Sequence, residues 1–269
     1  MPELPEVETI RRQLDAKLKG QIIKSVRILK TGRETPPGQA FAKAITGKKI
    51  KMIDRRAKLI VWRFTDGSGI TTHLKLTGTV ILVDKNYKPA KHDRMIFQIG
   101  SHYLVWADVR QFGRMSYLSH EALEKKLSEF GPEPLTLKPI QIAELFKRPV
   151  TRNVKSALFD QTTLAGVGNI YADESLFRAK IKPTRRLGSL TADDRLRLAK
   201  AIQAVLKQAI KLKGTSAQDY VDAHGQEGKF EKFLNVYQRK SLPCKVCGTP
   251  IVRTVVAQRG THYCPSCQK

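Results

Sequence analysis

The sequence predicts a multidomain α+β protein: a leading helix, a β-rich N-terminal part built as a sandwich or barrel, a helical middle and a cysteine-bound hairpin near the C-terminal end. Three observations carry this. Between residues 21 and 118, seven short β-rich runs alternate with turn residues. Beyond Gly131 the apolar period becomes helical. The closing stretch carries two Cys-x-x-Cys pairs.

Val7, Ile10, Leu14 and Leu18 recur at helical spacing between Pro5 and Leu18, and Gly20 suits the C-terminal stop. The acids and prolines of "MPELPEVETI" favour a helix start through the backbone dipole. They sit, however, at a terminus, where most domains fray. The runs "QIIKSVRIL", "KKIKMI", "KLIVWRF", "GITTHLKL", "TVILV", "RMIFQIG" and "HYLVWADV" predict strands, divided by breaks such as "TDGSG" and "DKNYKPAKHD". Their spacing suits a sandwich or barrel rather than βαβ units. "GPEPL" at 131–135 is a rigid break, and the expected domains are 1–131, 132–232 and 233–269. Helices are expected over 140–146, 154–159, 169–179 and 191–212. Thr191 and Asp194 approximate a capping box at the start of the last, and Gly214 closes it. Residues 214–232, rich in Gly, Ser, Gln and charge, read as a mobile loop.

Charge narrows the function. Lys and Arg number 49 against 24 Asp and Glu, a formal +25. Self-repulsion on that scale disfavours a compact fold unless a polyanion is the working partner. Nucleic acid is the first candidate and an anionic membrane surface the second; a solvated cationic surface with no partner is the plain alternative. No apolar run approaches the ~20 residues that span a bilayer. The acidic start lacks a basic n-region, so the expected location is the cytoplasm, with reduced cysteines.

Cys244 and Cys247 in "CKVC" and Cys264 and Cys267 in "CPSC" are knuckles separated by sixteen residues, within the zinc-ribbon range. Four thiolates close a tetrahedron around one Zn²⁺ and leave no open position, so the expected metal is structural. Disulfides are the alternative, disfavoured in a reducing compartment. Two β-rich segments flank "AQRG" between the knuckles, which predicts a hairpin with Arg259 near its tip. Upstream, "LAGVGNIYADE" sets Gly166 and Gly168 before a helix starting near Asn169. This suits close backbone approach and anion binding, or simple packing at a helical corner. It is not a GxGxxG loop, so no nucleotide cofactor is expected. Arg152 and Lys155 nearby favour a DNA phosphate.

"PELPEVET", "RRAKLI", "HLKLTG", "KHD", "DVRQFG", "GPEPL", "AGVGNIYADE" and "AQRGTHYCPSCQK" together, in order along the whole chain, resemble the bacterial formamidopyrimidine-DNA glycosylases. The resemblance implies an N-terminal β-sandwich, a helix–two-turn–helix domain with 214–232 facing the lesion, and a zinc finger. It implies excision of oxidised purines, chiefly 8-oxoguanine and formamidopyrimidines, from damaged double-stranded DNA, followed by β,δ-elimination; a monomer is expected. In that scheme Pro2, freed of Met1, is the nucleophile. An α-amino group titrates near 7.7–8.0, far below lysine, so about a tenth is neutral at pH 7. Glu3 is the implied acid, Glu6 orients water or the amine, Lys58 donates a proton or binds phosphate, and Arg259 grips the phosphates and aids δ-elimination. Phe112 and Leu76 are implied plugs of the vacated stack, and Arg110 reaches the opposite base. His92, Lys155 and Asn169 are implied DNA contacts; Arg152 is added on charge and position alone. Leu76 stands where methionine is usual and Gln111 where Arg or Lys is frequent. His73 reads equally as a core residue or a ligand. Two rivals remain: the sibling endonuclease VIII acting on oxidised pyrimidines, which has Gly where this chain has Leu4, and a zinc-ribbon nucleic-acid-binding protein without catalysis.

Overall fold

All seven predicted runs form strands, and they close into two sheets that face each other as a sandwich. The computed structural model describes residues 1–147, 151–216 and 220–269, so 217–219 of the loop read at 214–232 lie outside the described residues. In chain order the first unit contains α1 (Leu4–Leu18), β1 (Ile23–Ile28), β2 (Glu34–Thr35), α2 (Gln39–Ile45), β3 (Ile50–Arg56), β4 (Leu59–Phe64) and β5 (Gly69–His73). It continues with β6 (Gly78–Val83), β7 (Asp93–Ile99), β8 (His102–Asp108), β9 (Arg114–Leu118) and α3 (His120–Ser128). One sheet runs β1-β7-β8-β6 and the other β2-β9-β5-β4-β3. Trp62 of β4 and Phe97 of β7 meet between them with ring centroids 5.9 Å apart, both fully buried. The apolar stripe of α1, Val7, Ile10, Leu14 and Leu18, is buried in the same core. The side chain of Asp15 accepts the Ile53 N–H at 2.7 Å, tying the helix to β3.

The sequence reading missed β2, α2, β9 and α3. "RMSYL" is short and mixed, and it becomes a strand because β5 offers it a full antiparallel register. α3 starts where the Ser119 hydroxyl accepts the Ala122 N–H.

Residues 212–231 pack with this first unit rather than with the helices they follow in sequence. The Ala223 N–H donates to Gln13 Oε1 at 2.9 Å, Leu82 N–H donates to Ala223 O at 2.8 Å, and Tyr220 joins the sandwich core. The described part of the segment expected to be a mobile loop is tied to α1, whose Glu6 and Gln13 side chains accept the N–H groups of Thr215 and Ala223.

The second unit comprises 130–211 and 232–269. It holds α4 (Pro139–Leu145), α5 (Val154–Phe159), α6 (Asn169–Arg178), α7 (Ala192–Lys211), β10 (Val252–Val256) and β11 (Arg259–Tyr263). Thr191 and Asp194 cap α7 reciprocally, each side chain accepting the other's N–H at 3.1 Å. α7 packs on α4 and α6, and α6 on β11. Among the described residues no helix is long and apolar enough to cross a membrane.

Candidate functional site

The terminus does not fray. Glu3 is the N-cap of α1, and its N–H donates to Glu6 Oε2 at 2.8 Å. Glu3 and Glu6 are 2% and 1% exposed and Pro2 is buried, while Met1 is exposed. The second Glu6 oxygen accepts the Thr215 N–H at 2.9 Å, so this carboxylate joins the helix start to the returning segment. Gly214 is required there: its φ is +86°, and a Cβ would lie 2.7 Å from Glu6 Oε1. The Tyr220 hydroxyl donates to Lys213 O at 3.1 Å beneath the same carboxylate. Burial, with Glu6 and Asp222 nearby, pushes this phenol well above its ordinary pKa.

Lys58 occupies the two-residue turn between β3 and β4, where Arg56 pairs with Leu59 and Ala57 takes φ +53°. The turn buries Lys58 to 7% exposure. Arg55 braces it, donating through Nη1 to Ala57 O at 3.0 Å and through Nε to Glu8 of α1 at 2.9 Å. Burial raises the Glu8 carboxyl, but the guanidiniums of Arg11, Arg12 and Arg55 outweigh it and hold the group below its usual value. Nearby, His73 is pushed down to about 3 by burial and by the cations Lys75, Lys58, Arg114 and Lys126. It is neutral, and its Nδ1 accepts the Lys75 N–H at 3.0 Å. His73 is thus satisfied internally, inside a positive field suited to a polyanion.

A third cluster gathers at one rim of the sandwich. Val109, Arg110, Gln111 and Phe112 form an exposed loop between β8 and β9. Phe112 is 39% exposed, a large apolar side chain with no core to fill. The guanidiniums of Arg110 and Arg33 stand 5.2 and 5.7 Å from its ring centroid. Asp108 accepts the Thr77 hydroxyl at 2.6 Å and the Gly113 N–H at 2.7 Å, and its own N–H donates to His92 O at 3.0 Å. Leu76, His92, Arg110 and Phe112 are so brought together around two residues, Thr77 and Asp108, that the sequence reading passed over.

In the second unit the structure gives three of the expected DNA contacts partners within the protein itself. Lys155 is 0% exposed and cannot meet a phosphate as it stands. Its ammonium pairs with Asp173 Oδ1 at 2.5 Å and donates to Thr261 Oγ1 at 2.7 Å. The driving fact is that α6 buries Asp173 completely, and a buried carboxylate demands a partner. Arg152 is also engaged, donating to Asp160 at 2.9 Å and to Thr163 at 3.3 Å. Asn169 reaches the hairpin rather than open solvent, its Nδ2 donating to Gly260 O at 3.1 Å. Asp173 Oδ2 also accepts the His262 N–H at 2.8 Å, so α5 and α6 hold β11 from behind. Glu174, 1% exposed, accepts the N–H groups of Asn235, Val236 and Tyr237 at 2.9–3.0 Å. Burial pushes its carboxyl up, and these donors oppose the rise. Neither acid was singled out from sequence, where "ADE" on a helix gives no sign of burial. Arg259 is exposed as the first residue of β11, beside a turn whose residues Ala257 and Gln258 have φ +50° and +58°.

The four cysteines are free thiols whose sulfurs lie within 4.8 Å of one another. Sγ–Sγ distances of 3.9 Å for Cys244–Cys267 and 3.5 Å for Cys247–Cys264 bracket the ~3.8 Å edge of a tetrahedron with Zn–S bonds of about 2.3 Å. The Val246 and Cys267 N–H groups point at Cys244 and Cys264 sulfurs at 3.4 Å, as thiolate ligands require. Gly248 turns the first knuckle at φ +74°. The donor set fits one structural Zn²⁺.

Comparison with known proteins agrees along the chain. Residues 1–115 match the formamidopyrimidine-DNA glycosylase N-terminal domain, 130–221 the formamidopyrimidine-DNA glycosylase H2TH domain, and 241–269 the zinc finger found in FPG and IleRS. The formamidopyrimidine-DNA glycosylase of Pelotomaculum thermopropionicum is 40% identical, covering 100% of this chain and 99% of the relative. The Lactococcus lactis Fpg in complex with abasic-site DNA matches with a TM-score of 0.92 at 34% identity over 100% of both chains. A mutant of that protein bound to Fapy-dG DNA matches equally well.

Proposed function

The chain belongs to the formamidopyrimidine-DNA glycosylase family, and we propose that it removes oxidised purines through the amine of Pro2. It is a bifunctional DNA glycosylase and AP lyase of oxidised purines and abasic sites in damaged duplex DNA, with one structural Zn²⁺ in its four-cysteine finger.

The residue roles follow from the chemistry. The Pro2 nitrogen, freed of Met1, attacks C1′ of the damaged nucleotide, and the base departs with the C1′–N bond electrons. Glu3, adjacent to it, protonates the deoxyribose ring oxygen as the ring opens. The resulting iminium makes the 2′ proton acidic, and its loss expels the 3′ phosphate. Glu6 acts by fixing the helix start, since both its oxygens hold backbone N–H groups. Lys58 supplies a proton or binds phosphate, and Arg259 grips flanking phosphates and aids the second elimination. Phe112 and Leu76 fill the vacated stack while Arg110 reads the opposite base; His92 contacts the backbone. Lys155 and Asn169 support the hairpin that carries Arg259. The protein acts as a cytoplasmic monomer, and the expected domains 1–131, 132–232 and 233–269 serve as catalytic sandwich, DNA-binding helices and finger, with the lesion-facing segment 212–231 of the middle domain returning to pack with the sandwich.

The observation that carries this reading is the buried, doubly capped terminus with Glu3 beside Pro2. Acylated by Met1, the proline nitrogen has no basic lone pair. A chain forced to retain Met1 should bind damaged duplex yet neither excise nor be trapped by borohydride, which reduces only an iminium. Glu3→Gln should lose base excision but keep some cleavage of ready-made abasic sites. Mass spectrometry of the trapped, proteolysed adduct decides: an adduct on Lys58, or undiminished excision by the blocked chain, refutes the terminal-amine mechanism.

A further inference from the structure

We propose that Thr77 and Asp108 are positioning residues for opposite-base specificity, holding the Arg110–Phe112 loop in the register that its readout needs. This rests on the reading of that loop as wedge and reader given above.

All four residues from 109 to 112 are exposed, and Gln111 takes φ +59°. Beyond the stacking of Arg110 and Arg33 on the Phe112 ring, such a protruding loop has little packing to fix its shape, so its geometry comes largely from its base. There, Asp108 is 1% exposed and closes the loop across its neck: Oδ2 accepts the Gly113 N–H at 2.7 Å. The neck is tight enough that a Cβ at Gly113 would stand 2.9 Å from that oxygen. Oδ1 accepts the Thr77 hydroxyl at 2.6 Å, and the same Thr77 oxygen accepts the Arg110 N–H at 2.9 Å. One hydroxyl therefore links a buried carboxylate to the backbone of the reading arginine. Arg94 Nη2 donates to Asp108 O at 3.3 Å, anchoring the node to β7. Thr77 directly follows Leu76, so the residue whose hydroxyl holds the Arg110 N–H also adjoins the second apolar plug. Valine has the shape of threonine without its hydroxyl. Thr77→Val deletes the link to Arg110 and leaves the contact surface of the loop untouched.

The test is single-turnover excision of 8-oxoguanine opposite cytosine and opposite adenine, with melting temperature measured alongside. The cytosine-to-adenine rate ratio should fall about fivefold in Thr77→Val, the order expected for one lost hydrogen bond. Thr77→Ser should restore it. In an Arg110→Ala background Thr77→Val should change the ratio no further, because the hydroxyl acts through that arginine. A merely structural role would lower both rates together and leave the ratio at its wild-type value, which overturns the proposal. Failure of serine to rescue, or an additive effect on Arg110→Ala, also overturns it. If Arg110→Ala itself keeps the wild-type ratio, the reading of the loop falls, and the proposal with it. Thr77→Ala carries the same test where the valine variant does not fold.

Discussion

At His73 a single side chain registers the field around it. Folded, it takes up a proton only near pH 3; in an unfolded chain it does so near pH 6.5. Between those values the unfolded chain binds more protons, so stability rises with pH across the window. The contribution is complete above about pH 6.5 and is lost progressively toward pH 3. His73→Asn keeps an acceptor for the Lys75 N–H and removes the titration. Thermal melts between pH 6.5 and 4 should show the wild type losing stability more steeply than the variant. Parallel curves would mean that His73 titrates as an ordinary histidine. The cations that add to burial in keeping this ring neutral, Lys58 among them, suit the phosphates of the DNA substrate.

Among the elements, α6 is the one whose surface hides its work. It buries Asp173 and Glu174 side by side, and each holds a different part of the C-terminal region through backbone N–H groups. Lys155 on α5 neutralises Asp173 from the opposite side. Removing one partner of such a pair leaves a buried charge unmatched, at a cost of about 3–5 kcal/mol. Lys155→Met should therefore destabilise the protein by that order in denaturant unfolding. Adding Asp173→Asn should recover much of the loss, because no charge is then left stranded. A lysine bound to phosphate gives the opposite pattern: unchanged stability and a shallower salt dependence of DNA binding.

For the whole molecule, the zinc finger and the sandwich report separately. Both tryptophans, Trp62 and Trp106, lie in the sandwich core, so their fluorescence follows the first unit alone. Cys264→Ser should abolish zinc content and incision together, since the metal fixes the hairpin bearing Arg259, while tryptophan fluorescence remains native. Full incision by a zinc-free protein would overturn the structural role of the metal. The formal +25 makes binding a counterion-release process, so both measurements need one fixed salt concentration.

Several features were decided by the sequence alone because their physics is local. The period of α1, the seven strand runs, the Thr191–Asp194 box and the cysteine spacing each act within a few residues, and all appear where expected. Catalytic candidates at the terminus were legible through motif resemblance and the low pKa of an α-amino group. Burial was not legible. Lys155 and Arg110 look alike as cations in sequence, yet one is sealed against Asp173 and the other lies open on a rim. Only the fold brings Thr215 to Glu6 across 209 positions and Thr77 to Asp108 across 31. A charge or hydroxyl takes its role from what desolvates it and which partner it meets, and both are set by long-range packing that no local pattern encodes.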